Sequence, residues 1–406
     1  MKYIIVIADG MADEAQKELN GMTPLSYAKT EMLDILAKKS EIGLVQTIPK
    51  GMEAGSDIAG LTILGHDAKK QYCGRGSLEL LGLNLEQTPS CFTEKDIVYR
   101  MNLVTILEEK NIPNFENCIL MDHTAGQIST TEAKEILKNL QKLFDRMGFT
   151  YYTETSYRHL LVGNSKKIES LTPPHNILGR RIKPYLPQDG NLYDLMKESY
   201  YQLRDCKMNR WRMNNNKLPA NSIWLWGGGS QYHLESFKEK YKKQGAMISA
   251  VAVLKGIANG CGMVNLAVQG ATGTVNTNYR AKAERAIFAL LEEAYDFVCV
   301  HVEAPDEASH RGCLQDKIYA IEQIDQHIVK PIVRNLEIKK EDFRLLFLPD
   351  HYTLVQERVH TSKPVPYLLY DSTSFIQNNF AYNEKQTQFM PLLSDGTKLI
   401  QKLFSE

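Results

Sequence analysis

The order of apolar runs along this chain predicts an α/β fold: a doubly wound and mostly parallel sheet with a smaller inserted α+β domain. Continuous strand-like runs, helical patterns between them and a change of character in the middle carry that prediction. The first run, Tyr3 to Ala8, shows no polar alternation and stops at Asp9-Gly10, as a strand covered on both faces does. Similar runs are Ser222 to Trp226 before Gly227, Asp296 to Val302 before Glu303, and Phe343 to Leu348 before Pro349-Asp350. Tyr279 to Ala294 and Asp316 to Val333 place apolar residues at helical spacing, and strands alternating with helices indicate a parallel sheet. From about Thr93 to Leu218 the chain is more polar, with Pro173-Pro174, Pro184, Pro187 and an Asn214-Asn215-Asn216 run. Its strand candidates are Ile97 to Ile106 and Tyr157 to Val162. The expected division is a discontinuous core of residues 1–95 and 216–406 around an inserted domain of residues 96–215.

Composition narrows the class. With 406 residues and 43% hydrophobic content, a sizeable core can form and general disorder is excluded. Lys plus Arg equals Asp plus Glu at 48 each, so no basic excess points to nucleic acid or an anionic membrane. Seven cysteines are scattered singly, without a CxxC pair. That argues against a disulfide framework or a cysteine zinc site and favours a reducing compartment. The first apolar run is too short for a signal peptide and is broken by Asp9, and no stretch approaches bilayer-spanning length, so the expected location is the cytoplasm.

Open α/β sheets place their chemistry at the carboxyl ends of strands. Asp9, the stretch Glu303 to Asp306 and the pair Asp350-His351 all fall there. Asp306 and His310 are four residues apart, His360 follows His351 by nine, and Gly55-Ser56-Asp57 precedes a helical segment, Ile58 to Leu64. Taken singly, each pattern also suits a cap, a turn or a surface pair. Together they suit phosphoryl transfer. Two divalent cations clamp the charge on nucleophile, phosphate and leaving group, and mixed carboxylate and imidazole ligands suit zinc or manganese. A serine hydroxyl titrates far above neutral pH and needs such coordination to attack. A helix N-terminus adds amide donors for the resulting phosphoserine.

In that order the residues resemble the cofactor-independent phosphoglycerate mutases of the archaeal type, within the alkaline phosphatase superfamily. The matching stretches run from Ile7–Asp13, Gly21–Leu25, Gly55–Asp57, Ile63–Asp67 and Gly74–Gly76 through Thr172–His175, Gly270–Gly273 and Thr277-Asn278 to Glu303–His310 and Pro349–His351. The resemblance implies two divalent metal ions (manganese, zinc or magnesium) and no 2,3-bisphosphoglycerate. One metal is implied at Asp306, His310 and His360, the other at Asp9, Ser56, Asp350 and His351. Ser56 is implied as the nucleophile that takes the phosphoryl group as a phosphoserine and returns it to a neighbouring hydroxyl of a small phosphorylated metabolite. Arg75, Arg100, Arg158, His159, His175 and Lys282 are the implied substrate contacts.

One branch of that family is proposed to be homoserine kinase. Arg100 to Val104, Ser156 to Val162, Trp224 to Trp226 and Lys363 to Tyr370 look more like that branch, and its metal ligands are the same. The chain departs from the family pattern in having Gly227-Gly-Gly-Ser230 after the tryptophan strand and Cys313 at a commonly acidic position. The leading expectation is interconversion of 3-phosphoglycerate and 2-phosphoglycerate, with a homoserine kinase-like phosphotransferase as the alternative.

Overall fold

The computed structural model describes residues 1–83, 93, 95–108, 114–164 and 167–405; Cys91 lies outside them. Contacts group the chain into one unit of Met1–Tyr72 with His233–Glu406 and a second of Cys73–Tyr232. In chain order, β1 (Lys2–Ala8) and β2 (Ser40–Val45) come first. The second unit then supplies β3 (Asp96–Leu107), β4 (Ile119–Asp122), β5 (Phe149–Thr153), β6 (Arg158–Asn164) and β7 (Ser222–Gly229). The first unit resumes with β8 (Gly245–Ile248), β9 (Val264–Asn265), β10 (Phe297–Val302) and β11 (Phe343–Leu348). It ends with β12 (Tyr352–Leu354), β13 (Val359–Thr361), β14 (Val365–Asp371) and β15 (Leu392–Leu393).

In the first unit an eight-stranded sheet runs in the order β15-β2-β14-β11-β1-β10-β8-β9. Central β1 is parallel to β10 and β11, and β8 continues parallel to β10. Only β14 runs antiparallel to its neighbours β11 and β2, so the sheet is mostly parallel, as expected. Residues Ile4, Ile5 and Val6 are wholly buried, because helices cover both faces and leave no reason for polar alternation. On one face Ile4, Val6, Val300 and Phe347 pack with Ala283 and Ala286 of the helix Tyr279–Leu291 and with Ile321 and Ile324 of the helix Leu314–Ile324. The segment expected as one helix from Asp316 to Val333 is interrupted by a π-helical turn, Asp325–Val329, before Lys330–Lys339 resumes. Pro331 has no N–H for the carbonyl four residues back, and widening the turn absorbs that mismatch.

The second unit holds an antiparallel sheet in which β3 pairs with β4, β6 and β7, and β6 pairs with β5. One expectation is corrected here. The run Ser222 to Trp226 is not a strand of the parallel sheet; it is β7, antiparallel to β3. It packs against the helices Arg75–Leu81 and Gly190–Leu203. Burial on both faces produces the same apolar run as a parallel strand, and periodicity does not distinguish them. Those contacts also carry the second unit out to 73 and 232, beyond the expected 96 and 215. The Gly227-Gly-Gly departure has a packing reason: a Cβ at Gly228 would lie 2.6 Å from Tyr99 Cε1, and one at Gly229 would lie 2.6 Å from the Cys73 carbonyl oxygen.

Candidate metal centre

Adjacent parallel strands β10, β1 and β11 bring their carboxyl ends to one edge of the sheet. Asp9 follows β1, and Asp350 with His351 follows β11. The helix Ala304–His310 follows β10 and carries Asp306 and His310 on one face, one turn apart. His360 lies in β13, paired with β12 in a short hairpin. Ser56 is the first residue of the helix Ser56–Ile63, whose N-cap is Gly55. All seven implied ligands therefore meet within the first unit.

In the first group, His310 Nε2 lies 3.3 Å from Asp306 Oδ2, and His360 Nε2 lies 3.2 Å from Asp306 Oδ1. The two Nε2 atoms are 2.7 Å apart. Each ring spends its other nitrogen on a backbone carbonyl, His310 Nδ1 on Arg358 at 3.1 Å and His360 Nδ1 on Ala54 at 3.1 Å. A carbonyl only accepts, so Nδ1 carries the hydrogen and a neutral ring presents its Nε2 lone pair. Two such nitrogens and a carboxylate facing one another form a donor set that a divalent cation completes.

In the second group, Ser56 Oγ lies 3.3 Å from Asp9 Oδ2 and 3.3 Å from His351 Nε2. His351 Nε2 is also 3.3 Å from Asp350 Oδ2. Asp350 Oδ1 accepts the amides of Gly10 at 3.0 Å and His351 at 2.8 Å. Its Oδ2 is buried and makes no hydrogen bond among the described residues, an orphan of the kind that marks an ion site. Asp57 is not a ligand: its oxygens accept Ile58 N and the Tyr72 hydroxyl.

Electrostatics agree with a cation. Burial, then the charges of Asp350, Asp306 and Glu303, push the Asp9 carboxyl well above the usual carboxylate range. Packing several buried carboxylates together is costly without compensating positive charge. Burial also lowers the His351 imidazole, which keeps it neutral and able to donate a lone pair. The donor set therefore fits two divalent ions, and the two sets lie close. Ligand atoms of Asp306, His351 and His360 fall within 4.8 Å of one another, as do those of Asp9, His301 and Asp350.

Sequence reasoning missed His301, which sits inside the apolar run of β10 with nothing to separate it from core. Its Nε2 lies 2.9 Å from Asp9 Oδ2, and its Nδ1 lies 3.2 Å from Ser249 Oγ. The Asp9 carboxylate only accepts, so His301 Nε2 carries the hydrogen and donates to it. Nδ1 then accepts the Ser249 hydroxyl, whose oxygen takes the Val251 amide. This makes His301 a clamp on Asp9 rather than a ligand, and burial, which pushes it down to about 4, keeps it neutral.

Gly10 is also part of the site. It has φ of 62°, and a Cβ there would lie 2.5 Å from Thr353 Oγ1 and 2.7 Å from Asp306 Cα. Gly10→Ala is expected to cost at least about 1–3 kcal/mol in backbone strain and to displace Asp306. A lowered Tm and reduced metal content are the measurements.

Of the implied substrate contacts, Lys282 lies in the first unit, fully buried, its Nζ donating to the His301 carbonyl at 2.9 Å. Burial lowers it to about 8, against the raising effect of Glu303. The other five lie in the second unit. Arg75 Nε and Arg100 Nε hold opposite oxygens of Glu79 at 3.0 and 2.7 Å, and the Arg100 guanidinium stacks over Trp226 at 3.9 Å. Arg158 lies over Tyr157, and the His175 ring meets Trp226 and His123 edge-on. His159 is buried on β6, its Nδ1 accepting Glu154 N at 3.4 Å. Glu154, among these arginines, is pushed up to about 7 by burial and by Glu79. The second unit thus gathers cationic groups around two carboxylates.

Comparison with known proteins shows the family. Residues 1–389 match the model of the metalloenzyme superfamily. A probable 2,3-bisphosphoglycerate-independent phosphoglycerate mutase of Geobacter sulfurreducens is 39% identical over 99% of each chain. A protein named 2,3-bisphosphoglycerate-independent phosphoglycerate mutase in Methanosarcina barkeri is 41% identical over 91% of this chain and 90% of its own. The structure of a Pyrococcus horikoshii protein superposes with a TM-score of 0.80 at 26% identity, covering 100% of this chain and 98% of the other. With that similarity over nearly its whole length, the chain belongs to the 2,3-bisphosphoglycerate-independent phosphoglycerate mutase family of the metalloenzyme superfamily.

Proposed function

We infer that this chain interconverts 3-phosphoglycerate and 2-phosphoglycerate through a phosphoserine at Ser56. The observation that carries the reading is the placement of a partly exposed serine hydroxyl, at the start of a helix, against the buried Asp9 and His351. Asp306, His310 and His360 would hold one divalent cation, and Asp9, Ser56, Asp350 and His351 the other. When bound, the cations supply positive charge that favours the Ser56 alkoxide and neutralises the phosphate. Their mixed imidazole and carboxylate donors suit manganese or zinc.

Ser56 Oγ attacks phosphorus, the bond to the glycerate oxygen breaks, and that oxygen takes up a proton. The glycerate turns within the site, and its other hydroxyl attacks the phosphoserine and restores Ser56. No 2,3-bisphosphoglycerate is required, because the phosphoryl group stays on Ser56 between the halves. For the carboxylate and phosphate of the substrate, Arg75, Arg100, Arg158, His159 and His175 of the second unit offer cationic and hydrogen-bonding groups, the arginines through their planar forks. Lys282, fully buried on the His301 carbonyl, supports β10 instead. Retaining glycerate while water is excluded separates a mutase from a phosphatase. Among the described residues no helix is long and apolar enough to cross a membrane, and with the singly scattered cysteines we place the enzyme in the cytoplasm.

The test is a coupled assay of metal-loaded protein with 3-phosphoglycerate, beside one with homoserine and a nucleoside triphosphate. Turnover of 3-phosphoglycerate is expected, lost on chelation and restored by manganese or zinc. Kinase turnover alone would replace the mutase reading with the homoserine alternative, and activity indifferent to chelation would remove the metals from it.

A further inference from the structure

We propose that Thr353 is a positioning residue whose single hydroxyl orients one ligand of each metal and so ties the two metal affinities together; the proposal rests on the two-metal reading above. Thr353 Oγ1 lies 2.6 Å from Asp306 Oδ1 and 3.1 Å from His351 Nδ1. A hydroxyl has one proton to give, and the carboxylate can only accept it. The shorter, charge-assisted bond to Asp306 therefore takes that proton. His351 must then donate Nδ1–H to the Thr353 oxygen, which leaves its Nε2 lone pair facing Ser56. One hydroxyl thus fixes the rotamer of Asp306, in the first group, and the tautomer of His351, in the second.

Its own position is held from several sides. Thr353 is fully buried, and its amide donates to the Ala12 carbonyl at 3.1 Å. Its carbonyl accepts Lys317 Nζ at 2.7 Å. Lys317, with no exposed surface, is anchored in turn on Asp13 Oδ2 at 2.8 Å. Gly10 admits the hydroxyl, since a Cβ there would lie 2.5 Å from Thr353 Oγ1. A buried ion pair maintained behind one threonine carbonyl is hard to account for by packing alone, since two apolar side chains fill such space at less cost.

The test is calorimetric titration of Mn²⁺ alone into chelator-stripped wild type, Thr353→Val and Thr353→Ser. Loss of an outer hydrogen-bond partner lowers metal affinity by about 10- to 100-fold. Thr353→Val, nearly isosteric, is expected to weaken both binding steps to that extent, and Thr353→Ser to restore both. Unchanged binding by Thr353→Val, loss in one step only, or no recovery in Thr353→Ser would each overturn the proposal. Absence of Mn²⁺ binding by wild type would instead remove the two-metal reading beneath it. Should Thr353→Val not fold, ¹⁵N-histidine spectra of the zinc-loaded wild type decide. An Nδ1–H tautomer at His351 is expected, and an Nε2–H tautomer would overturn the assignment.

Discussion

Ser56→Ala is expected to abolish mutase turnover while leaving fold and most of the metal complement in place. The Oγ is the only part of this side chain that engages the site, through Asp9 and His351. Asp350, His351 and Asp9 keep the amides of Gly10 and His351, the Thr353 hydroxyl and the His301 ring as partners. Alanine is also a good helix former, so the helix Ser56–Ile63 still begins at Gly55. No nearby side chain replaces the nucleophile, because Asp57 is turned to Ile58 N and Tyr72. Loss of a covalent nucleophile costs on the order of 10⁴-fold or more in kcat. Coupled assay, metal analysis and Tm should be read together; appreciable turnover in a folded, metal-loaded variant would eliminate the phosphoserine route.

Asp306→Asn and His360→Ala are expected to remove one of the two metals and nearly all activity. Asp306 supplies both oxygens to its group, one facing His310 and one facing His360. An asparagine would still accept from Thr353 but turns its NH₂ toward an imidazole and withdraws the negative charge. In His360→Ala the Ala54 carbonyl also loses its donor, and the two remaining ligands hold a divalent ion poorly. Elemental analysis after gel filtration should fall by one ion per chain in either variant. An unchanged metal content would refute the ligand set, whatever the assay reports.

The readable parts of the site were those with a positional reason. Asp9, Asp306 and Asp350 stand at the ends of β1, β10 and β11, and a parallel sheet has its open side there. The apolar runs of these strands are legible because both faces are covered, which removes alternation. The same logic misplaced β7, whose covering comes from helices of its own, second unit. β8, β14 and β2 carry no comparable run: β8 has four residues, and Pro366 interrupts β14. His301 and Thr353 escaped because their roles depend on which ring nitrogen carries a hydrogen, and only the placement of Ser249 and Asp306 reveals that. The arginines are legible as charges, while their sharing of Glu79 is a property of the folded second unit.

The central position of β1 has a consequence for biosynthesis. Asp9 meets His301 across 292 residues, and Gly10 meets Asp350 across 340. At about 5–20 residues per second, translation leaves on the order of tens of seconds during which neither neighbouring strand exists. Through that interval β1 is an apolar ribbon with both edges unpaired, the state most open to wrong partners. Nor can the nascent chain capture metal at Asp9 early, since the imidazoles and the second carboxylate come only after β10. The enzyme therefore acquires its central strand and its ions in one late event, and β1 must be kept from association until then.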